Sequence, residues 1–189
     1  MLDSTTGYPR LGRHVVKLED VRAQLVDAPE YAGSVTRAAV WDDLETAIGL
    51  LANAVLVHAL WIGGSFVSDK LDPGDVDVAF VVNQRDLRAR SVDDRKVVES
   101  FARRDRDAFG RPVPAHGLRV DSFIIRWEPF AELDPWKGPP EHREYAASRG
   151  YWDDFWGRVR QTPKAAPTIW KDALPRRGYL EVVINDFTR

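Results

Sequence analysis

The chain has 189 residues, of which 44% are hydrophobic and 30% charged, and its formal net charge is -2. These values are ordinary for a soluble folded protein and exclude a disordered chain, while a charge this close to zero gives no sign of a general nucleic-acid binder. The absence of cysteine excludes disulfides, thiolate catalysis and cysteine zinc sites.

The length and the apolar pattern predict one cytoplasmic domain. No apolar run approaches the roughly 20 residues that span a bilayer. The N-terminal stretch MLDSTTGYPR lacks the basic and apolar parts of a signal peptide. We therefore expect a single domain over residues 1–189, with no membrane partner. Its core is predicted at about residues 35–127, followed by a helical and strand extension over 128–189.

In the first half of the chain, periodicity predicts an arm, two helices and two strands. Residues 1–16 show no periodicity and are predicted to be an extended arm. Apolar residues at helical spacing predict a short helix near 18–25 and a longer one over 35–51. Two apolar runs, 54–62 and 75–82, favour strands.

The next stretch is predicted to hold a helix and a third strand. Ser91, with Asp94 three residues later, resembles a capping box at the start of a helix over 91–109. Residues 118–127 read as a strand, and the prolines of 128–140 predict a loop.

An aromatic helical region and a closing strand complete the prediction. The region is expected to be interrupted near Gly150, and residues 179–184 favour a last strand. The helical positions predicted to share a face are Tyr145, Ser148, Trp152, Phe155 and Val159. Together these elements predict an α/β (α+β) fold, with a short mixed β-sheet and helices packed mainly on one face.

Three aspartates stand where strands are predicted. Asp75 and Asp77 are two residues apart in a predicted strand and therefore point to the same face, while Asp121 lies near the start of another strand. Two neighbouring carboxylates in an apolar strand are costly unless a cation separates them. Magnesium fits because it takes one or two carboxylates together with substrate phosphate oxygens, and Asp121 could complete a two-metal site.

The turn before the second strand supplies groups that suit a phosphate. Gly63 and Gly64 let a phosphate approach the backbone closely, and Ser65 can donate a hydroxyl or open a helix whose amides favour anions. Lys70, in the same loop, is a candidate for binding phosphate charge. Metal on one side of a phosphate and amides on the other is an arrangement that nucleotidyl transfer needs.

The combined pattern resembles the signature of the DNA polymerase β-type nucleotidyltransferase superfamily. The matching stretches are Ile62-Gly63-Gly64-Ser65 and, about ten residues later, Asp75-Val76-Asp77-Val78, with Asp121 in the place of the third acid. The outer segments GYPRLGRHVVKLEDVRAQL and RRGYLEVVI also look like those of a compact, little-characterised bacterial branch. One departure is that Phe66 and Val67 follow Ser65, where compact members often carry a basic residue.

The resemblance implies roles for these residues. Asp75 and Asp77 would bind magnesium, or manganese in its place, and Asp121 would serve as metal ligand and base. Gly63, Gly64, Ser65 and Lys70 would bind an NTP. The implied activity is transfer of a nucleoside monophosphate from that NTP to a hydroxyl of a protein, RNA or small molecule. Several compact relatives belong to toxin-antitoxin or phage-defence systems, which implies a cognate partner protein.

Two other classes of function remain open from the residues. One is a non-catalytic binding module with a nucleotidyltransferase fold that neutralises a partner protein, although a binder has no need of three acids. The other is a glycosyltransferase that uses Asp-x-Asp to hold a metal-bound nucleotide sugar, which the preceding Gly-Gly-Ser and the short chain disfavour. A metal-dependent nuclease is weaker still, because no Glu-x-Lys follows the acids.

Overall fold

The computed structural model describes residues 2–102, 115–131, 134, 137–160, 162–163 and 165–187, and in these ranges the chain forms one five-stranded sheet and five α-helices. The strands are β1 Gly12–Val16, β2 Val57–Gly63, β3 Val76–Asn83, β4 Val120–Trp127 and β5 Gly178–Val183. The helices are α1 Leu18–Leu25, α2 Arg37–Ala54, α3 Gln84–Ala89, α4 Val92–Ala102 and α5 Pro140–Gly157.

The strand order is β1-β5-β2-β3-β4, so the last strand of the chain lies inside the sheet. Strand β1 runs parallel to β5 and β3 parallel to β4, whereas β2 is antiparallel to both of its neighbours. The mixed sheet and the α+β class predicted from the sequence are confirmed. Strand β5, from the predicted C-terminal extension, pairs directly with β2 of the predicted core.

Helices α1, α2 and α4 contribute to the larger core, on the first face of the sheet. Helix α2 presents its apolar residues at spacings of three and four, which places one continuous stripe against the strands. The buried positions of that stripe are Val40, Trp41, Leu44, Ala47 and Leu51. From the other helices, Leu25 and Phe101 are fully buried in the same core.

Helix α5 packs on the second face through a smaller, aromatic core. Trp156 is buried there with Trp61, Phe123 and Tyr179. The Tyr179 hydroxyl donates to Asp153 Oδ1 at 2.6 Å and so fastens α5 to β5. Burial, reinforced by this bond to a carboxylate, raises the pKa of the Tyr179 phenol above its usual value of 10.0.

Two elements differ from the sequence prediction because distant contacts create them. Residues 12–16 form an edge strand rather than an arm, since β5 supplies the hydrogen-bonding partner for a segment without a clear local pattern. Helix α3 was not predicted at all. Asn83 starts this helix by accepting a hydrogen bond from the Asp86 amide on its side-chain oxygen.

The remaining differences concern boundaries and the aromatic helix. Helix α2 continues to Ala54, and β2 begins only at Val57. The capping box between Ser91 and Asp94 is present, with the Asp94 amide donating to Ser91 Oγ at 3.1 Å, but the predicted helical residues 103–109 lie outside the described residues. None of the described helices has the length and apolar character that crossing a bilayer requires.

Helix α5 runs without a break through Gly150, so the predicted interruption was wrong. A glycine inside a helix costs only about 1 kcal/mol relative to alanine, which the packing of Trp152 and Trp156 on the sheet offsets. Phe155, predicted to lie on the packed face, is exposed at the surface.

Candidate functional site

The sheet register brings Gly63, Asp77 and Asp121 into one row. Gly63 on β2 is the register partner of Asp77 on β3, and Asp77 is the partner of Asp121 on β4. Residues paired in this way point to the same face, on strands roughly 4.8 Å apart. Residues 63, 77 and 121 therefore form a short row at one end of the sheet, called here the acid row. Both of its carboxylates are partly exposed.

Asp75 lies outside this row. The sequence predicted that it opens the strand, but β3 begins at Val76, whose amide donates to Arg119 O at 3.0 Å. Asp75 is exposed just before that point. The structure thus pairs Asp77 with Asp121 and leaves Asp75 exposed, just before the first residue of β3. Across the described ranges, no group of three or more acidic or histidine side chains is gathered closely enough to hold a metal ion.

The two glycines of the turn serve different purposes. Gly63 is buried beneath the indole ring of Trp156, and a Cβ atom on Gly63 would come within 2.8 Å of Trp156 Cδ1. Its missing side chain therefore makes room for an aromatic ring. The indole nitrogen of Trp156 is also buried, without a hydrogen-bond partner in the part of the chain that the structure describes.

Gly64 touches the acid row directly. Its φ of +71° lies in the left-handed region, and a Cβ atom would stand 1.6 Å from Asp77 Oδ2. Only glycine tolerates both conditions. Ser65 follows in a turn rather than at a helix start, and its carbonyl accepts a hydrogen bond from Ser68 Oγ at 2.7 Å. Gly64 and Ser65 are partly exposed, so they form the accessible part of the turn.

A buried arginine holds the loop that follows this turn. Arg37, in the first turn of α2, is 1% exposed and directs all of its side-chain nitrogens at backbone carbonyl oxygens. The five acceptors and their distances are Leu71 at 3.2 Å, Leu25 at 2.7 Å, Phe66 at 2.9 Å, Ser68 at 2.7 Å and Lys70 at 2.6 Å. Four of these carbonyls belong to residues 66–71, so one side chain fixes most of the loop between the turn and β3.

Aromatic rings complete the surroundings of Arg37. Its guanidinium carbon lies 3.8 Å from the centre of the Tyr31 ring, and the Tyr31 hydroxyl donates to Ser68 O at 3.1 Å. Burial lowers the pKa of the Arg37 guanidinium below its usual value of 12.5, although arginine remains charged in proteins. The carbonyl dipoles therefore stabilise a cation that has left water.

Lys70 contributes its backbone to this loop. Its carbonyl accepts from Arg37 and its amide donates to Ser68 Oγ at 3.2 Å, while the side chain is exposed and makes no ion pair within the described ranges. Nearby, Asp72 Oδ1 accepts from the Val35 amide at 2.8 Å and from Ser34 Oγ at 3.0 Å. These bonds join the end of the loop to the residues just before α2.

The acid row fits a hard divalent cation in part. Asp77 and Asp121 provide carboxylate oxygens on neighbouring strands, and a cation between two such groups favours their charged forms. Magnesium commonly uses one or two carboxylates and completes its shell with water and substrate phosphate. The two paired aspartates meet that requirement, and the backbone of Gly64 lies against the carboxylate of Asp77.

Arg37 and Trp156 are the two site-shaping residues that sequence reasoning missed. A signal was present for Arg37, because it lies four residues before Trp41 and so falls on the apolar stripe of α2. A charged residue on a buried stripe must find polar partners. Trp156 belongs to a distant helix, and only the tertiary fold reveals its contact with Gly63.

Comparison with known proteins gives one match. A model of a family of unknown function, DUF6932, matches residues 2–182. No curated protein and no solved structure shows significant similarity to the chain. The match includes the acid row, the turn and all five strands except the last residue of β5. Since it covers nearly the whole sequence, the chain belongs to the DUF6932 family of unknown function.

Proposed function

We propose that this protein is a metal-dependent nucleotidyltransferase that moves a nucleoside monophosphate from an NTP to a hydroxyl group. The acceptor belongs to a protein, an RNA or a small molecule. The observation that carries the proposal is the register of the acid row, which sets Asp77 beside Asp121 and presses Gly64 against Asp77. The proposed location is the cytoplasm, where NTPs are made.

The charge pattern at this end of the sheet supports the proposal. An NTP brings a chain of phosphate oxygens that needs positive charge on one side and hydrogen-bond donors on the other. A magnesium ion held by Asp77 and Asp121 would neutralise the charge of the phosphate oxygens. Asp75, just before β3, would be a further ligand. The turn at Gly64 and Ser65 would supply amides and a hydroxyl, because its loop is already fixed by Arg37.

The proposed reaction is a displacement at the α-phosphorus of the NTP, with Asp121 as the base. The acceptor oxygen forms a bond to the α-phosphorus of the NTP, the bond from that phosphorus to the bridging oxygen breaks, and pyrophosphate leaves. The proton of the acceptor hydroxyl passes to the carboxylate of Asp121. The fixed loop orients the phosphates before reaction, which reduces the reorganisation required in the transition state.

The first prediction concerns the acids themselves. Asp77→Asn and Asp121→Asn preserve side-chain size but remove the negative charge, so each should lower nucleotidyl transfer by about 100-fold or more, given the usual weight of a metal or charge-stabilising group. Asp75→Asn should also lower it. The assay incubates the protein with magnesium, a cell extract and ATP, CTP, GTP or UTP labelled at the α-phosphate, and follows label transfer and NTP binding.

The matched control is Asp42→Asn, which removes an exposed carboxylate from α2 and should leave transfer unchanged. Circular dichroism would establish that every variant is folded. If neither binding nor transfer depends on Asp75, Asp77 or Asp121, the enzyme proposal is lost. A binding module that neutralises a partner protein would then be the better account.

A further inference from the structure

A second candidate site lies on the same face of the sheet as the acid row, under the N-terminal half of α5. It is a cleft of about 310 Å³. A wider groove of about 610 Å³ along α5 shares three of its residues and continues it. Both volumes lie in the range of small-molecule sites. Its lining includes two arginines and a glutamate, Arg13, Arg149 and Glu181, and aromatic side chains from the sheet, α5 and the C-terminal segment.

The floor of the cleft pairs an acceptor with a donor. Glu181 is 8% exposed, and its Oε1 accepts a hydrogen bond from Trp61 Nε1 at 2.9 Å while its Oε2 lies 3.3 Å from Arg13 Nε. A carboxylate can accept about four hydrogen bonds, and a guanidinium can donate five. The floor therefore keeps both donor and acceptor capacity for a ligand.

The rim carries a second guanidinium. The Arg149 guanidinium carbon lies 5.9 Å from the centre of the Trp61 ring, and that of Arg13 lies 5.5 Å from it. Arg149 is exposed, and within the described ranges its side-chain hydrogen bond is a weak one to Tyr145 Oη at 3.4 Å. Arg149 therefore has guanidinium donors available for an anionic group at the rim.

The walls are flat and aromatic. Trp127, Tyr145 and Phe187 line the cleft, and Phe187 packs edge-to-face on Trp127 at 5.2 Å between ring centres. Aromatic walls stack planar rings, and arginine beside them adds cation–π attraction. A ligand that suits all three parts of the cleft has a planar ring for the aromatic side chains and donors and acceptors on the ring edge for Glu181 and Arg13. It also carries an anionic group for Arg149.

We propose that this cleft binds a nucleotide unit, with the base against the aromatic side chains, the base edge at Glu181 and Arg13, and a phosphate at Arg149. The site is separate from the acid row. Trp61 and Gly63 are two residues apart on β2, roughly 6.8 Å along the strand, and the Trp156 ring packs near both. The nucleotide is either free or the end of an RNA strand.

The cleft also bears on the proposed reaction. Val81 and Trp127 of the cleft lie four and six residues from Asp77 and Asp121 along β3 and β4, roughly 13 and 20 Å. An RNA strand bound in the cleft could extend over this distance to the acid row, which would make RNA the acceptor. That role rests on the proposed function, whereas nucleotide binding in the cleft does not. The two ideas can therefore fail separately.

The test measures nucleotide binding in the presence of EDTA. The chelator removes divalent metal, so metal-dependent binding at the acid row does not contribute to the signal. Equilibrium dialysis with labelled AMP tests the free nucleotide, and fluorescence anisotropy with a labelled short oligoadenylate tests the strand end. Arg149→Gln should weaken binding about tenfold, because it removes a charge-assisted contact. Arg149→Lys should retain more affinity than Arg149→Gln. Lys96→Gln, at an exposed position on α4, is the control and should bind like the wild type.

The results separate the alternatives. Tighter binding of the oligonucleotide identifies a strand end, and equal or tighter binding of AMP identifies a free nucleotide. Asp77→Asn should bind both ligands normally in EDTA even if it abolishes transfer. Absence of binding at millimolar ligand, or equal affinity of Arg149→Gln and the wild type, would overturn the proposal.

Discussion

At the scale of single residues, Gly64 shows how a backbone conformation can position a side chain. The left-handed φ turns the chain so that its Cα faces the Asp77 carboxylate, and no other residue type leaves space for that oxygen. The two glycines look equivalent in the sequence. In the structure Gly63 makes room for a tryptophan and Gly64 for an aspartate, a distinction that depends on α5 and β3.

Substitution of Gly64 should therefore damage the acid row. Gly64→Ala places a methyl group against Asp77 Oδ2 in a backbone conformation that alanine resists, so we expect a loss of roughly 1–3 kcal/mol in the free energy of unfolding. Magnesium-dependent NTP binding should fall as well. Urea unfolding and equilibrium dialysis measure the two effects.

The same substitution at Gly49 is the control. Gly49 is exposed inside α2 with open space around its Cβ position, and alanine there should stabilise the protein by roughly 0.5–1 kcal/mol. Equal effects at positions 49 and 64 would contradict the special role of Gly64.

At the scale of elements, Arg37 connects α2 to α1 and to the loop between β2 and β3. The carbonyl of Leu25 ends α1, and the other four carbonyls come from the loop. No acidic partner is needed, because five backbone dipoles surround the guanidinium. The loop is therefore held by contacts from a helix outside the acid row.

Removing this side chain should cost more than removing a surface arginine. Arg37→Met keeps the length but removes the Arg37 donors from five carbonyls, of which Ser68 O keeps the Tyr31 hydroxyl, so the free energy of unfolding should fall by about 3–5 kcal/mol. Arg37→Lys should recover part of the loss, since an ammonium can donate to three acceptors at most. Urea denaturation measures both variants.

Arg22→Met provides the comparison. Arg22 is an exposed arginine paired with Asp27 and Glu45, and its loss should change stability by less than about 1 kcal/mol. If Arg37→Met were no more destabilising than Arg22→Met, the five carbonyl contacts would not hold the loop as described.

The sequence predicted the elements whose signals are local. The stripe of α2, the box at Ser91 and Asp94, and the apolar runs of β2, β3 and β4 all follow from spacing and residue type. Strand β1 escaped prediction because its partner lies at the other end of the chain. Helix α5 escaped accurate prediction because the packing of Trp152 and Trp156, and not the local effect of Gly150, decides its continuity.

The candidate site could be predicted only in outline. The carboxylates, the turn and their nearness in sequence are visible in Gly63-Gly64-Ser65 and Asp75 to Asp77. The register that places Asp121 beside Asp77 rather than beside Asp75 is a property of strand pairing. The aromatic cleft near Arg149 assembles side chains from all five strands, α5 and the C-terminal segment, so no single stretch of sequence reveals it.

At the scale of the whole molecule, acid should loosen the junction between the loop and α2. Hydrogen bonds from the Val35 amide and then the Ser34 hydroxyl lower the pKa of Asp72 below its usual value of 3.8. Because the pKa of Asp72 is lower in the folded state, its carboxylate stabilises the native state at pH values above the unfolded-state pKa. This stabilisation is lost as the pH falls through the folded-state pKa.

Asp72→Asn isolates that contribution. The asparagine oxygen can accept the same hydrogen bonds but does not titrate. The free energy of unfolding of Asp72→Asn should therefore fall less than that of the wild type as the pH falls through and below 3.8. Urea unfolding at a series of pH values measures the slopes. Parallel slopes for the two proteins would show that Asp72 does not contribute to the acid sensitivity.

The position of β5 also determines when the sheet can be completed during synthesis. Strand β1 emerges from the ribosome first but has no neighbour other than β5 in the sheet. The growing chain can therefore join β2 to β3 and β4 while β1 waits unpaired, until residues 178–183 appear and enter between β1 and β2. A chain interrupted before Gly178 would lose the strand that unites the two ends of the protein, and with it the floor of the aromatic cleft.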